Sequence, residues 1–181
     1  MHGQRRNGRG DSESKCVQNY RGLRKEYQDQ SPRQTSCDTT GVPCPFFEPQ
    51  RVISLVNATA GRRPLIDEYD GLCHAAGAPA PVPEAARFRL CNHGNSRSGC
   101  EIFPASETRS CLRYEVVERS ETTLRVLCIE EQNYAPVRWY SIDYTCCDAH
   151  MEPDPPDFCV RAQLLAFCRS YLVRVCKAVQ A

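Results

Sequence analysis

Thirteen cysteines in a chain of 181 residues constrain this sequence more than any other feature. Five of them fall in a legible order. Eight residues separate Cys91 from Cys100, ten separate Cys100 from Cys111, and a long β-patterned stretch then ends in the doublet Cys146-Cys147. A reducing cytosol has little use for so many thiols, so the density reads as a disulfide framework in a secreted, extracellular protein. Thirteen is also odd: at least one cysteine stays unpaired or bridges to another chain. An intermolecular bridge is the expected outcome, because an exposed thiol is a hazard where disulfides form. Structural zinc sites usually bring cysteines in as C-x2-4-C pairs. No C-x-x-C occurs here, and the histidines are only His2, His74, His93 and His150. The same missing motif argues against thioredoxin-type redox chemistry. No metal and no cofactor are expected.

The hydrophobic fraction of 41% includes the cysteines themselves, so the core is thin. Each bridge would offset this by about 2–4 kcal/mol through restriction of the unfolded chain. A net charge of +1 argues against a dedicated nucleic-acid binder. No apolar run approaches the roughly 18 residues of a membrane span, so no membrane insertion is expected. Met1 is followed by His-Gly-Gln-Arg-Arg rather than by the apolar run of a signal peptide. The expectation is therefore a mature or pro-form segment whose signal has been removed.

Residues 1–36 are polar, without a sustained apolar period, and read as a disordered or pro-like arm. The arm holds two R-x-x-R patterns, Arg6 to Arg9 and Arg21 to Arg24, and an integrin-type Arg9-Gly10-Asp11 tripeptide. Solvated arginines in a loose tail explain the two R-x-x-R patterns at least as well as convertase cleavage does, and a tripeptide such as Arg9-Gly10-Asp11 often matches by chance. A β domain is expected over 37–150. Within it, 51–56 and 86–90 are short strand candidates, and 77–83 (GAPAPVP) is a loop that cannot be a central strand. Asn57 heads the chain's only N-glycosylation sequon. Segments 112–118, 122–130 and 137–145 read as three antiparallel strands, with Tyr140, Ile142 and Tyr144 on one face and Arg138 joining them at the edge. After Pro153, Pro155 and Pro156, Asp157 can cap an amphipathic helix over 158–179. Leu164, Leu165, Cys168, Leu172, Val175, Cys176 and Val179 gather on one arc of it. The helix is thus expected to be stapled to the body or to a partner.

Candidate chemistry is sparse. Cys146-Cys147-Asp148-Ala149-His150 matches the C-C-x-x-H of secreted phospholipases A2 only superficially. Met151 stands where that family has an Asp, and strand-like WYSIDYT replaces its calcium loop. Neither a calcium site nor an oriented imidazole follows. No G-x-S-x-G is present, and His93 reads as a loop residue. No enzyme is expected.

The segments FRLC(91)NHGNSRSGC(100), SC(111)LRYEVV and R(138)WYSIDYTCC(147) together resemble the cystine-knot growth factors of the neurotrophin type. They are similar as well to the Spätzle-like Toll ligands and coagulogen. The resemblance covers residues 44–147. It implies elongated antiparallel hairpins around a cystine knot, with Cys44–Cys111 threaded through a ring closed by Cys91–Cys146 and Cys100–Cys147. The family usually ends in Cys-x-Cys, whereas adjacent cysteines point to opposite sides of a strand. Either a bulge reorients one of the doublet or only one belongs to the ring. Cys73, Cys128 and the cysteine-bearing helical tail have no counterpart in the family. The partners of Cys16, Cys37, Cys73, Cys159, Cys168 and Cys176 stay open. Cys128 or one of the doublet is the candidate for a bridge between chains.

The resulting expectation is a small, disulfide-rich, mainly β fold of antiparallel hairpins with a cystine knot and a C-terminal amphipathic helix. It would serve as a secreted cytokine or growth-factor-like ligand of a cell-surface receptor, working as a homodimer. Trp139, with Arg138 and Tyr140, is the candidate receptor or dimer contact, since Trp, Tyr and Arg dominate interface hot spots. The competing place for Trp139 is a dimer seam or the underside of the helix. Two rival functions are a disulfide-rich structural or defence protein (egg-coat, clotting or toxin-like) and, more remotely, a phospholipase A2-like enzyme.

Overall fold

The computed structural model describes residues 41–54, 64–93, 99–105, 109–132 and 135–180. Asn57, Cys16, Cys37 and the arginine patterns of the arm lie outside the described residues. The described fold is mainly β: two antiparallel sheets and one long C-terminal helix.

The first sheet holds β1 (Phe47–Ser54), β2 (Glu68–Cys73) and β3 (Ala80–Pro81) in that order. The second holds β4 (Cys111–Arg119), β5 (Thr123–Gln132), β6 (Ala135–Thr145) and β7 (Met151–Glu152), again in chain order. Alternation makes the second sheet. Leu112 and Tyr114 of β4, Leu124, Val126 and Cys128 of β5, and Ile142 and Tyr144 of β6 all turn inward and are buried. The β4–β5 link lacks glycine, and Ser120 closes it instead. Its Oγ accepts the amides of Thr122 at 3.3 Å and Thr123 at 3.0 Å, a hydroxyl-capped turn. The three strands expected over 112–145 are present, each longer by one or more residues.

Two expectations for the first sheet fail. The strand expected over 86–90 is helical: a short helix, Glu84–Ala86, runs into a π-helical turn, Arg87–Asn92. Asn92, the last residue of this turn, ties it to β2. Its side-chain amide donates to the carbonyls of Tyr69 at 2.9 Å and Arg87 at 3.0 Å, while its Oδ1 accepts the Tyr69 amide at 2.8 Å. Strand β2 went unexpected, and the 77–83 segment contributes β3, a two-residue edge as a proline-containing strand must be. Gly71 is required in β2 because a Cβ there would collide with the Glu48 carbonyl and the Phe47 ring.

The C-terminal helix, Phe158–Gln180, begins as expected: Asp157 Oδ1 accepts the Val160 amide at 2.9 Å. The helix lies against both sheets and joins them into one core. Leu164 and Cys168 of the predicted arc are buried, but so are Val160, Gln163, Phe167 and Ser170 beside them. Polar side chains pin the helix along its length. Gln163 Nε2 donates to the carbonyls of Cys44 at 2.9 Å and Phe47 at 2.8 Å, and its Oε1 accepts from Tyr114 Oη at 3.1 Å. Tyr69 Oη donates to the Ala166 carbonyl at 2.8 Å and lies 2.6 Å from Ser170 Oγ. Further along, Arg174 meets the buried Asp67 carboxylate at 2.7 Å. No helix among the described residues is long and apolar enough to cross a membrane.

Candidate interaction face and cysteine clusters

Because Tyr140, Ile142 and Tyr144 point inward, the odd-numbered residues of β6 must point out. Trp139 is 71% exposed there, and Val137 on the same strand is 52% exposed. Register brings Ile129 of β5 opposite Trp139, and Leu127 between Glu115 of β4 and Ser141 of β6. Val117, at the bulge in β4, is exposed at 52%. The outcome is an apolar strip of Leu127, Ile129, Val137 and Trp139 on the sheet face opposite the helix.

Paired charges border the strip. Arg113 reaches Glu131 at 2.7 Å, and Arg125 reaches Glu118 at 2.7 Å and Asp143 at 2.9 Å. The Arg125 hydrogen bond holds the Asp143 carboxyl below its ordinary range. On the other side of the sheet, with Tyr140, Arg138 grips Glu130 at 2.6 Å and 3.1 Å, and its guanidinium lies 5.5 Å from the centre of the Tyr140 ring. The face therefore combines an apolar centre with a neutralised polar rim, the anatomy of a protein contact surface.

The three candidate contact residues do not act together on this face. Trp139 lies at its centre and is covered by no described element. Arg138 sits at the sheet edge. Tyr140 points to the core side, its hydroxyl buried without a hydrogen-bond partner among the described residues. Burial is the largest cause that pushes this hydroxyl above its ordinary value.

No disulfide, and hence no cystine knot, is drawn among the described residues. Seven of their cysteines sort by position into two groups. Cys44, Cys73, Cys91 and Cys100 line one cavity of about 400 Å³ beside the first sheet. In the thiol form Cys91 is pushed up to about 12, first by burial and then by Cys44, Cys73 and Cys100 in turn. Cys168, buried on the helix, has Cys146 and then Cys128 as its thiol neighbours. This grouping differs from the expected ring, which would pair Cys91 with Cys146 and Cys100 with Cys147. The doublet follows β6 and brings Cys146 to the helix, whereas Cys91 and Cys100 lie at the first sheet.

Cys128 changes role. It has no exposed surface, because it is on the inward face of β5 under the helix, so a second chain cannot reach it. Burial pushes its thiol up to about 12, with Glu130 adding to the shift. Cys147 is the exposed cysteine of the doublet. His150 of the phospholipase-like motif is exposed in the connection between β6 and β7, 3.8 Å from Glu152. No group of three His, Cys, Asp or Glu among the described residues is arranged to hold a metal ion.

Sequence reasoning missed the four-cysteine cavity, since Cys73 belongs to a strand that carries no clear alternation. Comparison with protein-family models, characterised proteins and solved structures found no match.

Proposed function

We propose that this protein is an extracellular, disulfide-supported ligand that binds a cell-surface receptor through the outer face of β4, β5 and β6. The observation that carries the reading is Trp139, exposed at 71% in the middle of an apolar strip. An uncovered tryptophan among aliphatic neighbours gains most from a partner that removes it from water, and such anchors dominate binding energy. Arg125, held by Glu118 and Asp143, contributes as rim, while Arg138, held by Glu130 at the edge, and Tyr140 support the strand from behind. The high cysteine content supports an oxidising compartment. The odd count, with Cys147 exposed, supports a covalent homodimer. The likeness of the 44–147 segment to cystine-knot growth factors supports a hairpin ligand, and that role does not depend on which cysteines pair.

The test is binding of labelled, oxidised protein to cultured cells, compared with Trp139→Ala. Saturable binding that weakens about 30-fold in the variant, the effect of losing a hot spot of about 2 kcal/mol, supports the reading. Unchanged melting of the variant would show that the fold was intact. Equal binding by both proteins refutes the reading. So does polymerisation after limited proteolysis without cell binding, which favours the structural or clotting role.

A further inference from the structure

We propose that Cys44–Cys91 and Cys73–Cys100 are two disulfides that close the cavity beside the first sheet and tie the π-helical turn and the residues at Cys100 to it. The proposal rests on the oxidising compartment of the preceding reading. All four cysteines line the same cavity, together with apolar side chains that include Val82, Leu90 and Phe103.

A backbone contact selects the first pair. The Cys44 amide donates to the Cys91 carbonyl at 2.9 Å. A direct main-chain bond makes these two residues immediate neighbours. Disulfides span roughly 4.4–6.8 Å between α-carbons. The second pair is what remains around the cavity. Cys73 ends β2 opposite Phe47, whose amide bonds the Cys44 carbonyl at 3.0 Å, so Cys73 lies beside the first pair. Cys100 lines the same cavity, and the Phe103 amide anchors its carbonyl at 3.1 Å. The order of influence on the Cys91 thiol, with Cys44 ahead of Cys73 and Cys100, agrees with this choice.

Few main-chain bonds hold this region to the sheet. They include Cys44 to Cys91 and the Val82 amide to the Gly71 carbonyl at 3.1 Å, and Asn92 adds its side-chain bonds to Tyr69. Covalent ties here would reinforce these bonds.

Each bridge forms by thiol–disulfide exchange with a glutathione-type or protein disulfide. One cysteine thiolate attacks the oxidant and releases one thiol. The second cysteine thiolate then attacks the mixed disulfide and releases the other. Two cysteine thiols and one disulfide oxidant thus give one bridge and two oxidant thiols, with the cysteines oxidised and the oxidant reduced.

The experiment equilibrates the full chain in a glutathione redox buffer, blocks residual thiols, and maps cross-linked peptides after digestion with trypsin and Asp-N. Arg97 separates Cys91 from Cys100, and Asp38 separates Cys37 from Cys44, so each pair is read without ambiguity. The expected result is a linked 44/91 peptide pair and a linked 73/100 pair. Any other partner for Cys44 or Cys73, including Cys111 for Cys44, overturns the proposal, as does alkylation of all four. The map is made in a defined buffer, so it tests the geometry apart from the cellular compartment. Failure of a signal-bearing version to be exported from cultured cells would count against the extracellular reading and leave the map unchanged.

Discussion

Gln163→Leu should loosen the seat of the C-terminal helix. The Gln163 side chain is 2% exposed and makes three hydrogen bonds, to Cys44 O, Phe47 O and Tyr114 Oη, so one amide joins the β1 approach, β4 and the helix. Leucine fits a similar volume but pairs none of the three. The Cys44 carbonyl keeps the Phe47 amide at 3.0 Å, so its loss is small. The Phe47 carbonyl and the Tyr114 hydroxyl lose a buried partner at about 1–1.5 kcal/mol each, in the range for buried groups left unpaired. The summed cost is about 2–3 kcal/mol, a large share of the roughly 5–15 kcal/mol typical of a domain. Denaturant unfolding of oxidised protein measures it, together with Tyr114→Phe and the double variant. Tyr114→Phe alone should cost about 1 kcal/mol, and the cycle should show coupling of similar size because the two side chains share a bond. A Gln163→Leu cost under about 1 kcal/mol, or strict additivity in the cycle, would refute the argument that this amide organises the junction.

Three further outcomes follow from single groups. Tyr140→Phe should be neutral or stabilising by about 1 kcal/mol, since it removes a buried hydroxyl that has no partner among the described residues; a clear loss in thermal unfolding would contradict this. Arg174→Met should cost about 3 kcal/mol in the same assay, because it leaves the buried Asp67 carboxylate without its cation; the Arg174 side chain is 31% exposed, which places the expectation at the low end of the range for broken buried pairs. For pH, burial raises the hydroxyls of Tyr69, Tyr114 and Tyr140 above the ordinary 10.0. The folded chain then holds protons that the unfolded chain releases, so stability is intact below about pH 10 and falls as pH rises beyond it. In reductant, Cys91 and Cys128 add the same effect from their ordinary 9.0 up to about 12, so the loss should begin about one pH unit lower than in oxidised protein. Coincident pH curves for the two forms would contradict it.

What the sequence made legible was local. The period of two over 112–145 announces β4 to β6, since every second residue meets the same core, and it places Trp139 opposite Tyr140. Asp157 and the three prolines mark the helix start because capping and chain breaking act within a few residues. The first sheet was hidden for non-local reasons. Strand β2 (EYDGLC) carries an aspartate and a glycine, and it becomes a strand through pairing with β1 and the close approach at Gly71. The 86–90 segment looks strand-like, yet Asn92 ties it into a helical turn through bonds to Tyr69, 23 residues away. Gln163 is a polar residue at the edge of an apolar arc, and only its three buried partners explain its place. Cysteine spacing along the chain says nothing of which thiols meet across a cavity, so the four around Cys91 could not be read from order alone.

The open outer face is the centre of the account, and Trp139 reports on it directly, being the only tryptophan in the chain. Its fluorescence and its quenching by acrylamide and iodide can be measured in dilute oxidised protein, with and without receptor-bearing membranes. The account predicts red-shifted, freely quenched emission in the protein alone, with a blue shift and protection from iodide once membranes are added. Blue-shifted, shielded emission in the protein alone would mean that the chain covers this face itself, and the proposed receptor surface would be contradicted.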